Sequence, residues 1–144
     1  MTGLTITPLE PVDVAELASL LVAASLPSID LAEPSRLFFR FETNSLVGFG
    51  GLEGEGSDRL LRSIVVLADC RGHRLGQALV AALERQARDL GVERLHLLTT
   101  TAAPFLLALG YADAGRGAAP PAVAASREFA ALCPASAAYL VKAL

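Results

Sequence analysis

The residues with the most chemistry in them are Arg71, Gly72, His73, Arg74 and Gly76, gathered between a β-branched run and a long amphipathic one. Leu61 to Leu67 contains Ile64, Val65 and Val66 and reads as a strand. From Leu75 onward, apolar residues recur at Ala78, Leu79, Ala82, Leu83, Ala87 and Leu90, the spacing of an amphipathic helix, and Gly91 ends it. The first backbone N–H groups of such a helix lack intrahelical partners, and the aligned peptide dipoles leave partial positive charge there, so a phosphate is favoured. Arg71, His73 and Arg74 add side-chain donors, while Gly72 and Gly76 lack a Cβ and let a pyrophosphate approach the main chain. The same residues also suit an ordinary strand-to-helix turn with solvated arginines.

The other elements must position this turn, and composition bounds what they build. A chain of 144 residues is expected to form one domain with a real core. Although 53% of its residues are apolar, no uninterrupted run approaches the ~18 to 20 that a membrane span needs. The first residues, Met1 to Ile6, lack a charged leader and a cleavage site, so the expected location is cytoplasmic. A net charge of −3 argues against a nucleic-acid partner. Cys70 and Cys133 lie far apart without metal-ligand spacing and read as reduced thiols, so no metal is expected.

In chain order, Leu4 to Leu9 reads as a short edge strand and Asp13 to Ala24 as a helix with Val14, Leu17, Ala18, Leu21 and Val22 on one stripe. Pro27 and Pro34 break Leu26 to Pro34 into a loop or single turn. Leu37–Glu42 and Leu46–Leu52 form a hairpin about Thr43-Asn44-Ser45, and Gly54 to Asp58 turns the chain into the strand that ends at Leu67. Leu95 to Thr101 is the next strand, expected to return beside Val65 in parallel by a right-handed crossover, giving a mixed sheet. A short helix follows over Ala102–Leu109, stopped by Gly110. A Pro-started helix over 118–132 then leads through a loop to a last strand ending near Val141.

The run Arg71 to Gly76 resembles the acyl-CoA pyrophosphate loop of the GNAT superfamily of N-acetyltransferases, in which Gln or Arg is followed by two residues, Gly, one residue, then Gly or Ala. Arg71 and Gly76 fit, and Arg74 stands where the middle Gly usually is. The resemblance covers almost the whole chain. It implies a single α/β (α+β) domain over 1–144, with a mixed, mainly antiparallel sheet, flanking helices and a splayed central parallel strand pair. It also implies acetyl-CoA as cofactor. The pyrophosphate would lie on Arg71, Gly72, His73, Arg74, Leu75, Gly76 and Gln77, the pantetheine arm on Ile64, Val65 and Val66, and Thr99, Thr100, Thr101 and Leu106 would form the far wall. The backbone around Val66 would polarise the thioester carbonyl, a task that suits a rigid main-chain donor.

The helix ending in Gly110-Tyr111 resembles a second family stretch, in which a Tyr four residues before the Gly protonates the departing thiolate. Here that position is Leu106, which cannot donate a proton, so water, Tyr139 or Cys133 are the candidate donors. Tyr111 reads as core packing. An amine acceptor must also lose a proton. Glu42 and Glu53 are candidates for receiving it and otherwise read as surface carboxylates. His96 alternates with Leu95 and Leu97 and reads as a satisfied or exposed residue on the opposite face.

Leu98 to Ala102 and Phe129 to Ala137 resemble the arsenic-resistance N-acetyltransferase-like branch. The expected activity is acetyl transfer from acetyl-CoA to a small-molecule amine, with a link to arsenic or toxic-amine resistance. A non-catalytic acyl-CoA-binding sensor is the alternative, and a homodimer is an allowed assembly.

Overall fold

β-branched and aromatic residues gather in successive runs, and each becomes a strand of one sheet. The structure is a computed structural model and describes residues 4–26, 28, 31, 35–71, 74–126, 129 and 137–144. β1 (Thr5–Pro8) lies at one edge and pairs with β2 (Arg36–Glu42). β2, β3 (Leu46–Glu53) and β4 (Asp58–Val66) form an antiparallel meander. β5 (Arg94–Thr99) follows a helical crossover and pairs with β4 in parallel. β6 (Ala112–Asp113) and β7 (Ala138–Ala143) complete the order β1-β2-β3-β4-β5-β7-β6 among the described residues.

Side-chain alternation divides the core into two layers. On one face α1 (Pro11–Ala23) sets Leu17 and Leu21 against Phe38, Phe49 and Val65. On the other, α2 (Leu75–Asp89) buries Leu79, Val80, Leu83 and Ala87 among Leu52, Leu61, Leu95, Leu97 and Leu140. The mixed sheet, the parallel pair and the α2 boundaries agree with the sequence reading. Gly91 and Gly110 follow α2 and α3 (Ala103–Ala108) with φ of +85° and +99°, conformations that glycine adopts without steric cost.

Buried charges tie the layers together. Glu84 of α2 accepts from the Tyr111 hydroxyl at 2.9 Å and from Lys142 Nζ of β7 at 3.1 Å. Tyr111 is thus the core residue that the sequence suggested, although its hydroxyl also joins two elements. Burial, then the charge of Glu84 and the hydrogen bond to it, push its phenol well above the ordinary 10.0.

Three expectations change. β5 stops at Thr99 rather than Thr101, because the Thr99 hydroxyl accepts from the N–H groups of Thr101 (3.3 Å) and Ala102 (2.9 Å) and turns the chain into α3. Of the helix expected over 118–132, the described part is a 3₁₀ turn at Arg116–Ala118 followed by the single-turn α4 (Pro121–Ala124), and residues 127, 128 and 130–132 lie outside the described residues. After α4, Ser126 Oγ donates to Val123 O at 2.8 Å and accepts from Phe129 N at 3.2 Å. Glu53 is not a surface carboxylate: it is buried, 2.7 Å from Arg62 Nη1 and 3.5 Å from Arg36 Nη2. The readings on Gly72, His73, Pro27, Pro34 and Cys133 lie outside the described residues.

Candidate active site

A site forms where the parallel pair comes apart. β4 and β5 are in register only through Asp58↔Arg94, Arg59↔Leu95 and Leu60↔His96. Beyond Leu60, β4 carries a bulge: its register against β3 shifts between Phe49 and Gly51, so Ser63 and Ile64 together face Gly50. Ser63 takes a φ of 58°, a left-handed conformation that costs a non-glycine residue about 1 to 3 kcal/mol. An extra residue bends the strand that carries it. Beyond this bend β4 has no partner in β5, and a cavity of about 250 Å³ opens between the strands.

The cavity runs through the sheet. Leu61, Leu97 and Leu106 belong to the core on the α2 side, whereas Arg62 lies over the Phe38 ring on the α1 side. Ala24 and Leu26, at the end of α1, complete that second side. Ile64, Thr99, Thr101 and Leu106 line the cavity. Val65 does not; its side chain is buried in the α1 layer. Thr100 is exposed and contributes no lining.

Val66 presents main chain. Leu67 N–H donates to Val47 O at 2.8 Å, and antiparallel pairs alternate, so Val66 directs its own N–H and C=O away from β3. Its carbonyl accepts from Arg71 Nε at 3.0 Å, which folds the basic turn back onto the strand end. Arg74 is the N-cap of α2 with a φ of 59°. The loop therefore needs a left-handed residue there, which explains why glycine usually fills this position. The Arg74 side chain does not cap α2 and no acidic residue lies in its first turn, so among the described residues no side chain competes with an anion for the leading N–H groups. A Cβ on Gly76 would meet Val66 Cγ2 and Phe105 Cζ, each at 3.6 Å. Phe105, which lines the cavity, therefore joins its mouth to the helix start and the strand end.

At the closed end, Asp58, His96 and Tyr139 join three strands. His96 is buried, with Nε2 2.7 Å from Asp58 Oδ1 and Nδ1 2.7 Å from the Tyr139 hydroxyl. In the tautomer whose Nε2–H donates to an ionised Asp58, Nδ1 accepts a hydrogen bond from the Tyr139 hydroxyl. His96 is thus a satisfied residue, and Tyr139, a candidate proton donor by sequence, is committed to it and does not line the cavity. Burial raises the Tyr139 phenol above its ordinary value, and the charge of Asp58 adds to this. For Asp58, burial works to raise the pKa. The hydrogen bonds from His96 and Arg94 and the Arg94 charge outweigh it and hold the carboxyl below its usual 3.8.

The depressed Asp58 value sets a pH dependence. Its stabilising contribution is present above the unfolded value of 3.8 and is lost as pH falls through the lower folded value. Thermal denaturation followed between pH 6 and about 2.5 should show wild type losing more stability over its acid end than Asp58→Asn. Equal acid sensitivity would contradict the assignment.

Sequence reasoning passed over Arg62 and Ser63 because neither is a carboxylate. Arg62 is buried, donates from Nε to Ser63 Oγ at 3.1 Å and from Nη1 to Glu53, and both Arg62 and Ser63 line the cavity. Neither Glu42 nor Glu53 does. No group of His, Cys, Asp and Glu among the described residues is arranged to hold a metal ion.

A family model described as the acetyltransferase (GNAT) family matches residues 6–111, from the edge strand through the basic turn and α3 to Tyr111. The chain belongs to the GNAT acetyltransferase family. Solved GNAT-type structures share its fold. An acetyltransferase of the GNAT family from Staphylococcus aureus Mu50 superposes with a TM-score of 0.77 at 15% identity, covering 99% of each chain. An aminoglycoside 6'-N-acetyltransferase complexed with coenzyme A gives 0.69 at 18% identity over 96% of each. N-acetylglutamate synthase from Neisseria gonorrhoeae, complexed with coenzyme A and L-arginine, gives 0.77 at 18% identity over 100% of this chain and 34% of that one. This chain therefore spans about a third of that synthase. No helix among the described residues is long and apolar enough to cross a membrane.

Proposed function

We propose that this chain transfers an acetyl group from acetyl-CoA to the amine of a small molecule. The observation that carries the reading is the parting of β4 and β5 beyond Leu60, which opens a cavity whose lining residue Phe105 borders Gly76 at the start of α2. The cavity is narrow and mostly apolar, and the absent side chain at Gly76 leaves a cradle between Val66 and Phe105. These features fit a thin arm ending in a pyrophosphate. Arg71, Gly72, His73, Arg74, Leu75, Gly76 and Gln77 would hold the pyrophosphate. Main chain from Val66 toward Ile64 would pair with the arm and meet its thioester, and Thr99, Thr101 and Leu106 would close the far wall, with Thr100 contributing main chain alone.

Bound there, the thioester supplies an activated acyl group: attack by a neutral amine forms a C–N bond, breaks the C–S bond and leaves a thiolate and a proton. The chain's own part is to orient the two reactants and exclude water. The acceptor enters from the α1 side, past Ala24 and Leu26, because the α2 side is taken by the phosphate turn. The amine must give up a proton before it attacks, and among the described residues no carboxylate or histidine lines the cavity.

The finer resemblance to the arsenic-resistance branch extends the proposal to amino compounds that carry arsenic, and to toxic amines generally. It supports the amine, not arsenic, as the reacting group. A soft arsenic centre takes two or three thiolates, and Cys70 is half-buried with its Sγ 3.8 Å from Leu46 O. A second reading, an acyl-CoA-binding module without turnover, is favoured by Leu106, whose alkyl chain stands in place of a proton donor. Thiol release from acetyl-CoA across a panel of small amines, amino acids and amino-organoarsenicals separates the two. Release with one class of amine is the expected result. Binding of acetyl-CoA with no release across the panel would overturn the enzyme in favour of the module.

A further inference from the structure

Consecutive residues of a regular strand point to opposite faces, so their side chains do not meet. Arg62 and Ser63 break that rule: Nε of one donates to Oγ of the other at 3.1 Å. The left-handed φ of Ser63 makes this contact, by turning the bulged residue to the same side as Arg62. A glycine would hold that conformation with less strain, yet a serine stands there, among the residues that line the cavity. Arg62 is itself fixed by Glu53 at 2.7 Å and lies over the Phe38 ring.

The hydroxyl has a definite polarity. Because Arg62 donates to Oγ, the hydroxyl's own hydrogen is left to be given elsewhere. Among the described residues it is given to none. The guanidinium withdraws electron density from Oγ and makes that hydrogen a better donor.

Depth along the slot says what it meets. The proposed phosphate turn borders Val66 and Leu67, since Arg71 bonds Val66 O, Cys70 N–H donates to Leu67 O at 2.8 Å and the open side of Gly76 faces Val66 Cγ2. A pantetheine arm has roughly twelve bonds between its phosphate ester oxygen and its sulfur, the span of about four residues of extended strand. Counted back from Leu67, that length ends at Ser63.

We infer that the Ser63 hydroxyl donates a hydrogen bond to the carbonyl oxygen of the bound thioester, with Arg62 as the positioning residue behind it. The bond strengthens as negative charge gathers on that oxygen, which makes Ser63 a catalytic residue for the acyl transfer proposed above, on which this inference rests. It stabilises the acyl end of the site where Leu106 offers nothing.

The test is isotope-edited infrared spectroscopy of acetyl-CoA labelled at its carbonyl carbon, bound without an acceptor amine to wild type, Ser63→Gly and Ser63→Ala. Glycine retains the left-handed bulge without strain and alanine retains a Cβ, so an effect shared by both belongs to the hydroxyl. The expected result is a carbonyl band at lower frequency in wild type than in either variant, with affinity for CoA itself unchanged. A loss on the order of 10²-fold in kcat should accompany it, as for other donors to a developing oxyanion. The same band position in all three proteins would overturn the role of Ser63 while leaving the function intact. A wild type that binds no acetyl-CoA in calorimetry would instead overturn the function, and this inference with it.

Discussion

Gly76→Trp is expected to abolish acetyl-CoA binding while the protein stays folded. Gly76 lies in the first turn of α2, where its missing side chain faces Val66 on one wall of the cavity mouth and Phe105 on the other. A Cβ alone would sit at ordinary van der Waals distance from both, 3.6 Å in each case, so an alanine fits. An indole does not; it fills the space between strand end and helix that the pantetheine arm must cross to reach the slot. Glycine is the weakest helix former after proline, by about 0.8 to 1.0 kcal/mol relative to alanine, so the substitution should leave the unfolding midpoint unchanged or slightly raised. Calorimetric titration beside a thermal melt checks both halves. Unaltered affinity in a folded variant would show that the arm does not pass this point.

Gly48→Ala should unfold the protein or destabilise it by about 3 kcal/mol or more, the upper range for overpacking a dense interior. Gly48 stands opposite Val66 in the β3–β4 ladder. A Cβ there would overlap the carbonyl oxygen of Val65, a main-chain atom of the neighbouring strand with no freedom to rotate away. The two strands would have to separate, and β4 is the wall of the candidate site, so any residual folded protein should also bind acetyl-CoA poorly. Urea denaturation gives the stability change. A midpoint within experimental error of wild type would mean that β3 and β4 lie farther apart than the structure places them.

Both substitutions fall on a region that was largely legible beforehand. The β-branched run, the basic glycine-containing turn and the amphipathic stripe ending at Gly91 are local signals, and local signals survive into the fold. The hairpin, the parallel return of β5 and the core position of Tyr111 were legible for the same reason. Tertiary partners were not. Glu53 read as a solvated carboxylate because nothing near it in sequence reveals that Arg36 and Arg62 converge on it from neighbouring strands. The bulge at Ser63 was invisible as well, since Leu61 to Leu67 reads as an unbroken strand, with no glycine to mark a left-handed residue. The extent of β5 was overstated because threonine favours strands, whereas the Thr99 hydroxyl is used here to cap the following turn. Phe105 was read only as part of a short helix, and its place at the cavity mouth depends on how α3 packs against the start of α2.

The most direct test of the central claim is calorimetric titration of the wild-type protein with acetyl-CoA, with desulfo-CoA fragments of increasing length as a series. The account predicts saturable binding at one site per chain, with affinity falling when either the pyrophosphate or the pantetheine arm is removed, because the α2 start and the β4 edge each hold one part. Absence of binding to the intact thioester would contradict the assignment of the slot between β4 and β5, and with it the proposed acyl transfer.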